Sequence, residues 1–200
     1  DDGKILAANG DPLVMDASVT EDGATKVRVS EAAVPLEEIR QKVVASTAAM
    51  IEGNRHVCRV SECAMGNLVA DAMLARVADQ GVTIAITNSG GIRASIDAGE
   101  VTMGEVVTVL PFQNTLSTFQ VSGAVVIEAL ENGVSQIEEV KGRFPQVAGL
   151  KFTFDPTVAA NAGRVQSVMV MEAGDWVPID PEVTYTLVSN NFVRTGGDGY

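Results

Sequence analysis

The residues best suited to chemistry lie in NSGGIR at 88–93. Gly90 and Gly91 have no Cβ to keep a ligand off the backbone, and a turn built on them leaves amide N–H groups free to point at an anion. Arg93 adds a planar fork of donors that matches a phosphate or a carboxylate. Taken alone, the same six positions also describe a strand end, a glycine turn and a solvated arginine. Cys58 and Cys63 are the only cysteines and His56 is the only histidine. Their spacing is not that of a CxxC zinc or redox motif, and two Cys with one His make a poor metal set. The pair reads either as a local disulfide, which implies an oxidising compartment, or as two buried thiols. Asn67 and Asp71, one helical turn apart, are a third candidate: a binding pair, or two side chains that satisfy buried backbone.

The elements that must position these residues show in the hydrophobic pattern. Residues 82–86 are an apolar, β-branched run that predicts a buried strand leading into the glycine turn. Leu36, Ile39, Val43, Val44, Ala48 and Ile51 share a helical face, so the spacing predicts a helix from Pro35 to a stop at Gly53. Residues 62–79 predict a second helix, with Met65, Leu68, Val69, Ala72, Met73, Ala75 and Val77 forming its apolar stripe. Thr102 and Glu105 form a capping-box pattern for a short helix that Pro111 ends. Residues 115–121 alternate as a strand, and 122–132 read as a helix closed by Gly133. Residues 150–154, 165–170 and 185–189 alternate at period two between turns at Asp155-Pro156, Ala162-Gly163 and Asp180-Pro181. Residues 1–30 keep neither period for long and read as an extended lead-in with turns at 10–12 and 21–23. Helices followed by a meander predict an α+β domain.

Composition narrows the partners. Two hundred residues, 46% of them hydrophobic, suffice for one domain, or one domain with an extension. Twenty-six acidic against fourteen basic residues give a formal net charge of −12, which argues against a nucleic-acid polymer or an anionic membrane as partner. A small anionic ligand is compatible with this charge where arginines gather locally. No apolar run approaches the roughly 18 residues of a membrane span, and no signal peptide is visible at Asp1, where a processed or trimmed N-terminus would look the same.

Four stretches in order, CRVSECAMGNLVADAM (58–73), NSGGIRASI (88–96), VLPFQN (109–114) and NNFVRTGGDGY (190–200), resemble the C-terminal domain of the 5′-nucleotidases. That group includes bacterial periplasmic UDP-sugar hydrolases and animal ecto-5′-nucleotidase. The resemblance runs over about residues 35–200 and implies a single substrate-binding domain of helices plus mixed and antiparallel sheet over 31–200. It implies that residues 1–30 are the tail of an N-terminal metallophosphatase domain, absent from this sequence, and the interdomain connection. In the family that other domain holds two divalent metals and hydrolyses the substrate, so neither a catalytic residue nor a metal ligand is expected in this chain.

Carried over position by position, the resemblance makes Phe112 and Phe192 the aromatics that sandwich a nucleobase. Stacking suits that role, because every base has a π-face. Asp198 corresponds to a ribose-binding carboxylate, Asn88 and Arg93 to residues that hold sugar and phosphate, and Arg59 to a second phosphate-contacting arginine. Gly90, Gly91, Gly196 and Gly197 let the backbone come close. A third arginine of some bacterial members is not matched, since Ser61 and Glu62 stand at that place. Cys58 and Cys63 match a bonded pair in relatives, and the family habit implies a periplasmic or extracellular protein. The function implied is nucleotide or nucleoside binding within a 5′-nucleotidase-like phosphohydrolase, with the fragment inactive by itself. The alternatives are a stand-alone binding module, or the domain of a UDP-sugar hydrolase or a 2′,3′-cyclic-nucleotide phosphodiesterase.

Overall fold

A computed structural model describes Gly10 and residues 12–200 of the chain. It divides between Ile39 and Arg40 into two units. The described part of the first unit holds most of helix α1 (Gly23–Gln41), none of whose residues is buried. The turn expected at 10–12 includes Asp11, outside the described residues, as do residues 1–9. The turn expected at 21–23 is instead the start of α1, because the Asp22 carboxylate accepts the Thr25 N–H at 2.8 Å as a cap.

The helix expected over 35–53 is corrected: α1 begins twelve residues earlier, contains Pro35, and stops at Gln41. Val43–Thr47 is a strand, β1, paired antiparallel with β3 (Gly99–Thr102). The β-branched Val43 and Val44 fit a pleated ribbon better than a helix, and a distant partner decided between the two. Ile51 continues the pairing through two backbone hydrogen bonds with Ile96. Gly53 stops no helix. A Cβ there would stand 2.1 Å from the Ala94 carbonyl oxygen, so close passage of two backbones requires glycine.

The short helix α2 (Arg55–Cys58) leads into α3 (Ala64–Arg76). The main sheet has the order β4 (Leu116–Ser122), β9 (Thr184–Asn190), β2 (Ile84–Asn88), β5 (Pro145–Ala148). Strands β2 and β9 are parallel and the other pairs antiparallel, so the sheet is mixed. Every residue of β2 is buried, as its apolar run predicts. On one face Ala70 and Met73 of α3, with Val77 just after it, meet Ala85, Ala148 and Val188. On the other, Ile84, Ile86 and Leu187 pack with Val126 and Leu130 of α5 (Gly123–Gly133) and with Leu150, Val168 and Val170. The last three belong to an antiparallel sheet of β6 (Leu150–Phe154), β7 (Val165–Glu172) and β8 (Asp175–Pro178). Helix α4 (Met103–Val109) starts on the complete capping box of Thr102 and Glu105. The fold is α+β, with helices on a mixed sheet, as its pattern predicts, but the expected meander is corrected: its third strand is β8, and residues 185–189 lie in β9 of the main sheet, between β4 and β2. Among the described residues no helix is long and apolar enough to cross a membrane.

Cys58 and Cys63 form a disulfide. Strand β5 secures the loop between them: buried Gln146 donates to the carbonyls of Cys58 and Ser61 at 2.8 Å each and accepts the Cys63 N–H at 3.2 Å. Its oxygen would lie 2.1 Å from a Cβ on Gly66, so α3 can lie over β5 only with glycine at that turn. Asn67 and Asp71 satisfy no buried backbone. Asn67 donates to Glu62 at 2.6 Å on the surface, and Asp71 is exposed.

Candidate functional site

Four segments end at one place. Strand β2 finishes at Asn88 and turns through a 3-10 turn, Ser89–Gly91. Parallel strand β9 finishes beside it at Asn190, whose side chain caps the short helix α6 (Asn191–Arg194) by accepting the Val193 N–H at 2.9 Å. Adjacent parallel strands point their C-terminal ends the same way, so the two asparagines and the turns that follow them meet at one sheet edge. The segment after α4 brings Phe112, and the residue after α2 is Arg59.

Arg59, Asn88, Gly90, Gly91, Arg93, Phe112, Phe192 and Asp198 all line one open cleft of about 520 Å³. Asn114 and Gly142 complete its wall. A smaller, mostly apolar pocket of about 150 Å³ adjoins it, shares Asn88, Gly91, Phe112 and Asn114, and is floored by Val69, Met73, Ile92 and Leu116. Phe112 and Phe192 are 57% and 42% exposed, whereas half-buried Phe152 and Phe154 pack against buried Phe144. Two exposed rings on one cleft, in a chain with six phenylalanines, are not core residues.

The polar groups are tied together. Asn88 is buried; its Nδ2 donates to Asp198 Oδ2 at 2.7 Å, and its Oδ1 accepts from Asn190 Nδ2 at 2.9 Å. Asp198 has φ 57°, a left-handed conformation that an aspartate tolerates, in the turn Gly197–Gly199. Tyr200 anchors that turn by donating to the Arg143 carbonyl at 2.7 Å, and burial raises its phenol pKa. Gly197 lies under the Phe192 ring, where a Cβ would be 2.5 Å from Cε1. The flat backbone at this glycine is what lets the ring lie down on the turn.

The glycines of NSGGIR act differently from the expectation. The Gly90 N–H is not free for an anion: it donates to the Gly142 carbonyl at 2.7 Å. A Cβ on Gly90 would meet Gly142 Cα at 3.1 Å, so this glycine serves the passage of two backbones. Gly91 is the open one, with only Asn88 Oδ1 near a Cβ, at 3.9 Å. Gly142 could not be found from sequence, because its role exists only through contact with a residue some fifty positions away. Asn114 was visible within VLPFQN, where only Phe112 carried a role.

The two arginines have unlike surroundings. Arg93 is exposed, donates to the Gly90 carbonyl at 3.2 Å, and places its guanidinium 5.5 Å from the centroid of the Phe112 ring. Arg59 is 9% exposed, with one long hydrogen bond to the Val140 carbonyl at 3.4 Å, and its Nε has no hydrogen-bond partner among the described residues. Burial lowers its guanidinium pKa, the positive charges of Arg55 and Arg93 add to that, and Asp198 opposes it. A cation held this way favours an anion in the cleft. Ser61 and Glu62 lie outside the cleft, on a neighbouring groove with Gln146.

Among the described residues no three His, Cys, Asp or Glu side chains converge as a metal site requires.

Residues 43–200 match the family described as 5′-nucleotidase, C-terminal domain. The chain is 42% identical over 191 residues to the trifunctional nucleotide phosphoesterase protein YfkN of Bacillus subtilis (strain 168), covering 94% of this chain and 13% of that protein. It is 33% identical over 215 residues to the snake venom 5′-nucleotidase of Naja atra, covering 100% of this chain and 40% of the relative. The crystal structure of a 5′-nucleotidase precursor from Thermus thermophilus superposes with a TM-score of 0.83 at 44% identity, covering 90% of this chain and 35% of the other. The chain thus spans less than half the length of each of these proteins. With its fold, its four matching stretches and the cleft they build, it belongs to the 5′-nucleotidase C-terminal domain family.

Proposed function

We propose that the cleft binds a nucleotide or nucleoside: the base between Phe112 and Phe192, the ribose on Asp198 and Asn88, and the phosphate end on Arg59 and Arg93. The observation that carries this reading is that four segments far apart in sequence bring two exposed phenylalanines, a carboxylate and two arginines to one cleft. Each part matches the chemistry of a nucleotide. Aromatic faces stack on any base, a carboxylate accepts from a vicinal diol, and guanidinium forks meet phosphate oxygens.

In this reading the chain is the substrate-binding part of a 5′-nucleotidase-type phosphohydrolase. Residues 1–30 connect it to an N-terminal metallophosphatase domain, and the bond is broken by metals held there. The named activities of the YfkN and venom relatives support a nucleotide phosphoester as substrate. The disulfide and the venom relative support a periplasmic or extracellular location. Stacking favours no one base, so the reading covers purine and pyrimidine nucleotides alike.

Calorimetry on the 200-residue chain tests it. Adenosine and uridine should bind and ribose should not, and Phe192→Ala should weaken adenosine by about 1–3 kcal/mol. Nucleosides bound no better than ribose would refute the stacking role.

A further inference from the structure

Asn190 takes no part in the reading above, yet it joins both halves of the cleft. It is 6% exposed, and its amide uses one acceptor and both donors. Oδ1 accepts the Val193 N–H at 2.9 Å, while Nδ2 donates to Asn88 Oδ1 at 2.9 Å and to Thr87 Oγ1 at 3.2 Å. A backbone N–H can only donate. Val193 therefore fixes which end of the Asn190 amide is oxygen, which turns the Asn190 NH2 toward Asn88. Asn88 must then offer its oxygen to Asn190 and its own NH2 to Asp198 Oδ2, at 2.7 Å. Polarity is thus relayed from the first turn of α6, which carries Phe192, to the carboxylate at the other side of the cleft. Asp198 Oδ1 carries no hydrogen bond among the described residues, so the relay occupies one carboxylate oxygen and leaves the other for a ligand.

We propose that Asn190 is a positioning residue that, through Asn88, holds Asp198 in the orientation that accepts a ribose diol, while its other end fixes the helix that bears Phe192. The inference rests on the nucleoside reading of the cleft. Asn190→Asp separates its two ends. A carboxylate at 190 still caps Val193, but it faces Asn88 with an acceptor where a donor stood. Asn88 turns its NH2 to residue 190, its oxygen meets Asp198 Oδ2, and two acceptors at that distance repel. The diol contact is lost while the aromatic wall stays. Asn190→Ser keeps the cap without added charge and only removes the donor that fixes the Asn88 amide, since a serine hydroxyl caps a helix but cannot also reach Asn88.

The experiment compares adenosine with 2′,3′-dideoxyadenosine by calorimetry on the 200-residue chain. The unaltered chain should prefer adenosine by about tenfold, the worth of hydrogen bonds to a charged acceptor. In Asn190→Asp that preference should fall to within about twofold of unity and in Asn190→Ser it should fall part of the way, with dideoxyadenosine affinity changed less than about threefold in both because the stacking wall is kept. Variants that keep the tenfold preference would overturn the role of Asn190 and leave the nucleoside reading intact. Equal loss of both ligands would overturn it too, because the residue would then only hold the fold. An unaltered chain that does not prefer adenosine would refute the ribose reading itself, and this inference with it. The unaltered chain offers a check that needs no variant: adenosine should shift the side-chain NH2 resonances of both Asn88 and Asn190 more than dideoxyadenosine does. An Asn190 resonance that does not respond to adenosine would count against the relay.

Discussion

Arg59 is the residue where binding and stability pull against each other. It is almost wholly buried, has no carboxylate within ion-pair distance among the described residues, and its Nε has no partner. A buried cation in that condition lowers the stability of the empty protein, and an anion in the cleft would relieve it. Arg59→Met keeps the length and removes the charge, so it should raise unfolding stability by about 1 kcal/mol, read as a rise of a few degrees in Tm. The same variant should lose the preference for AMP over adenosine. Arg93 is exposed and already engaged with Gly90 and Phe112, so Arg93→Met should leave stability within about 0.5 kcal/mol while also weakening AMP. Thermal unfolding and calorimetry on both variants check this, and a destabilised Arg59→Met would show that the arginine is compensated. This contrast was not legible in the sequence. Both residues read there as phosphate ligands, and nothing local tells a buried arginine from an exposed one. Gly90 shows the same limit, since its partner Gly142 comes from another loop. The exposure of Phe112 and Phe192 fits their polar, glycine-rich surroundings, but their roles and that of Asp198 were carried by the family resemblance and not by local sequence.

At the scale of elements, Glu131 on α5 performs a task that no pattern announced. Its carboxylate accepts three consecutive backbone N–H groups, of Gly163, Arg164 and Val165 at 3.0, 2.9 and 2.9 Å, and so ties the helix to the turn that starts β7. Burial raises its pKa, but these N–H groups and Arg164 outweigh that and hold it below the usual glutamate value. A carboxylate whose folded pKa is depressed contributes stability above the unfolded value and loses it as pH falls through the folded one. Glu131→Gln should therefore cost about 1 kcal/mol near neutral pH, a modest figure because the group is partly exposed. The difference between the two proteins should shrink as pH drops from about 5 to about 3, which unfolding curves across that range would show. A gap that persists at the acid end would mean the loss is one of packing. Elements themselves were legible where one periodicity ran unopposed, as in α3, α5, β2, β6 and β7. Val43–Thr47 reads as helix in the sequence because its β-branched residues happen to continue a helical face, and only the partner strand β3 resolves that. Strand β5 leaves no such signal, because Pro145 and Gln146 do not read as strand, though both are buried where Gln146 holds the disulfide loop.

At the scale of the molecule, the issue is where hydrolysis would occur. Breaking a phosphate ester with two metals needs several carboxylate, His or Asn ligands converging on ions about 3.5–4 Å apart. This chain has one histidine, and its described His, Cys, Asp and Glu side chains gather nowhere in threes. It also spans 13% of YfkN and 40% of the Naja atra enzyme, so most of each relative lies outside the region compared. The 200-residue chain should accordingly bind AMP yet release no phosphate from it in Mn²⁺, Zn²⁺, Co²⁺ or Mg²⁺. In a protein that joins the chain to a metallophosphatase domain, the two kinds of cleft residue should separate kinetically. Arg59→Ala and Arg93→Ala should lower kcat/KM if, as proposed, the arginines hold the phosphate end in line for attack. Phe112→Ala and Phe192→Ala should mainly raise KM, since stacking serves the ground and transition states about equally. Phosphate release by the isolated chain, surviving removal of contaminating phosphatases, would place the chemistry within these residues and overturn the division between a domain that holds the substrate and one that cuts it.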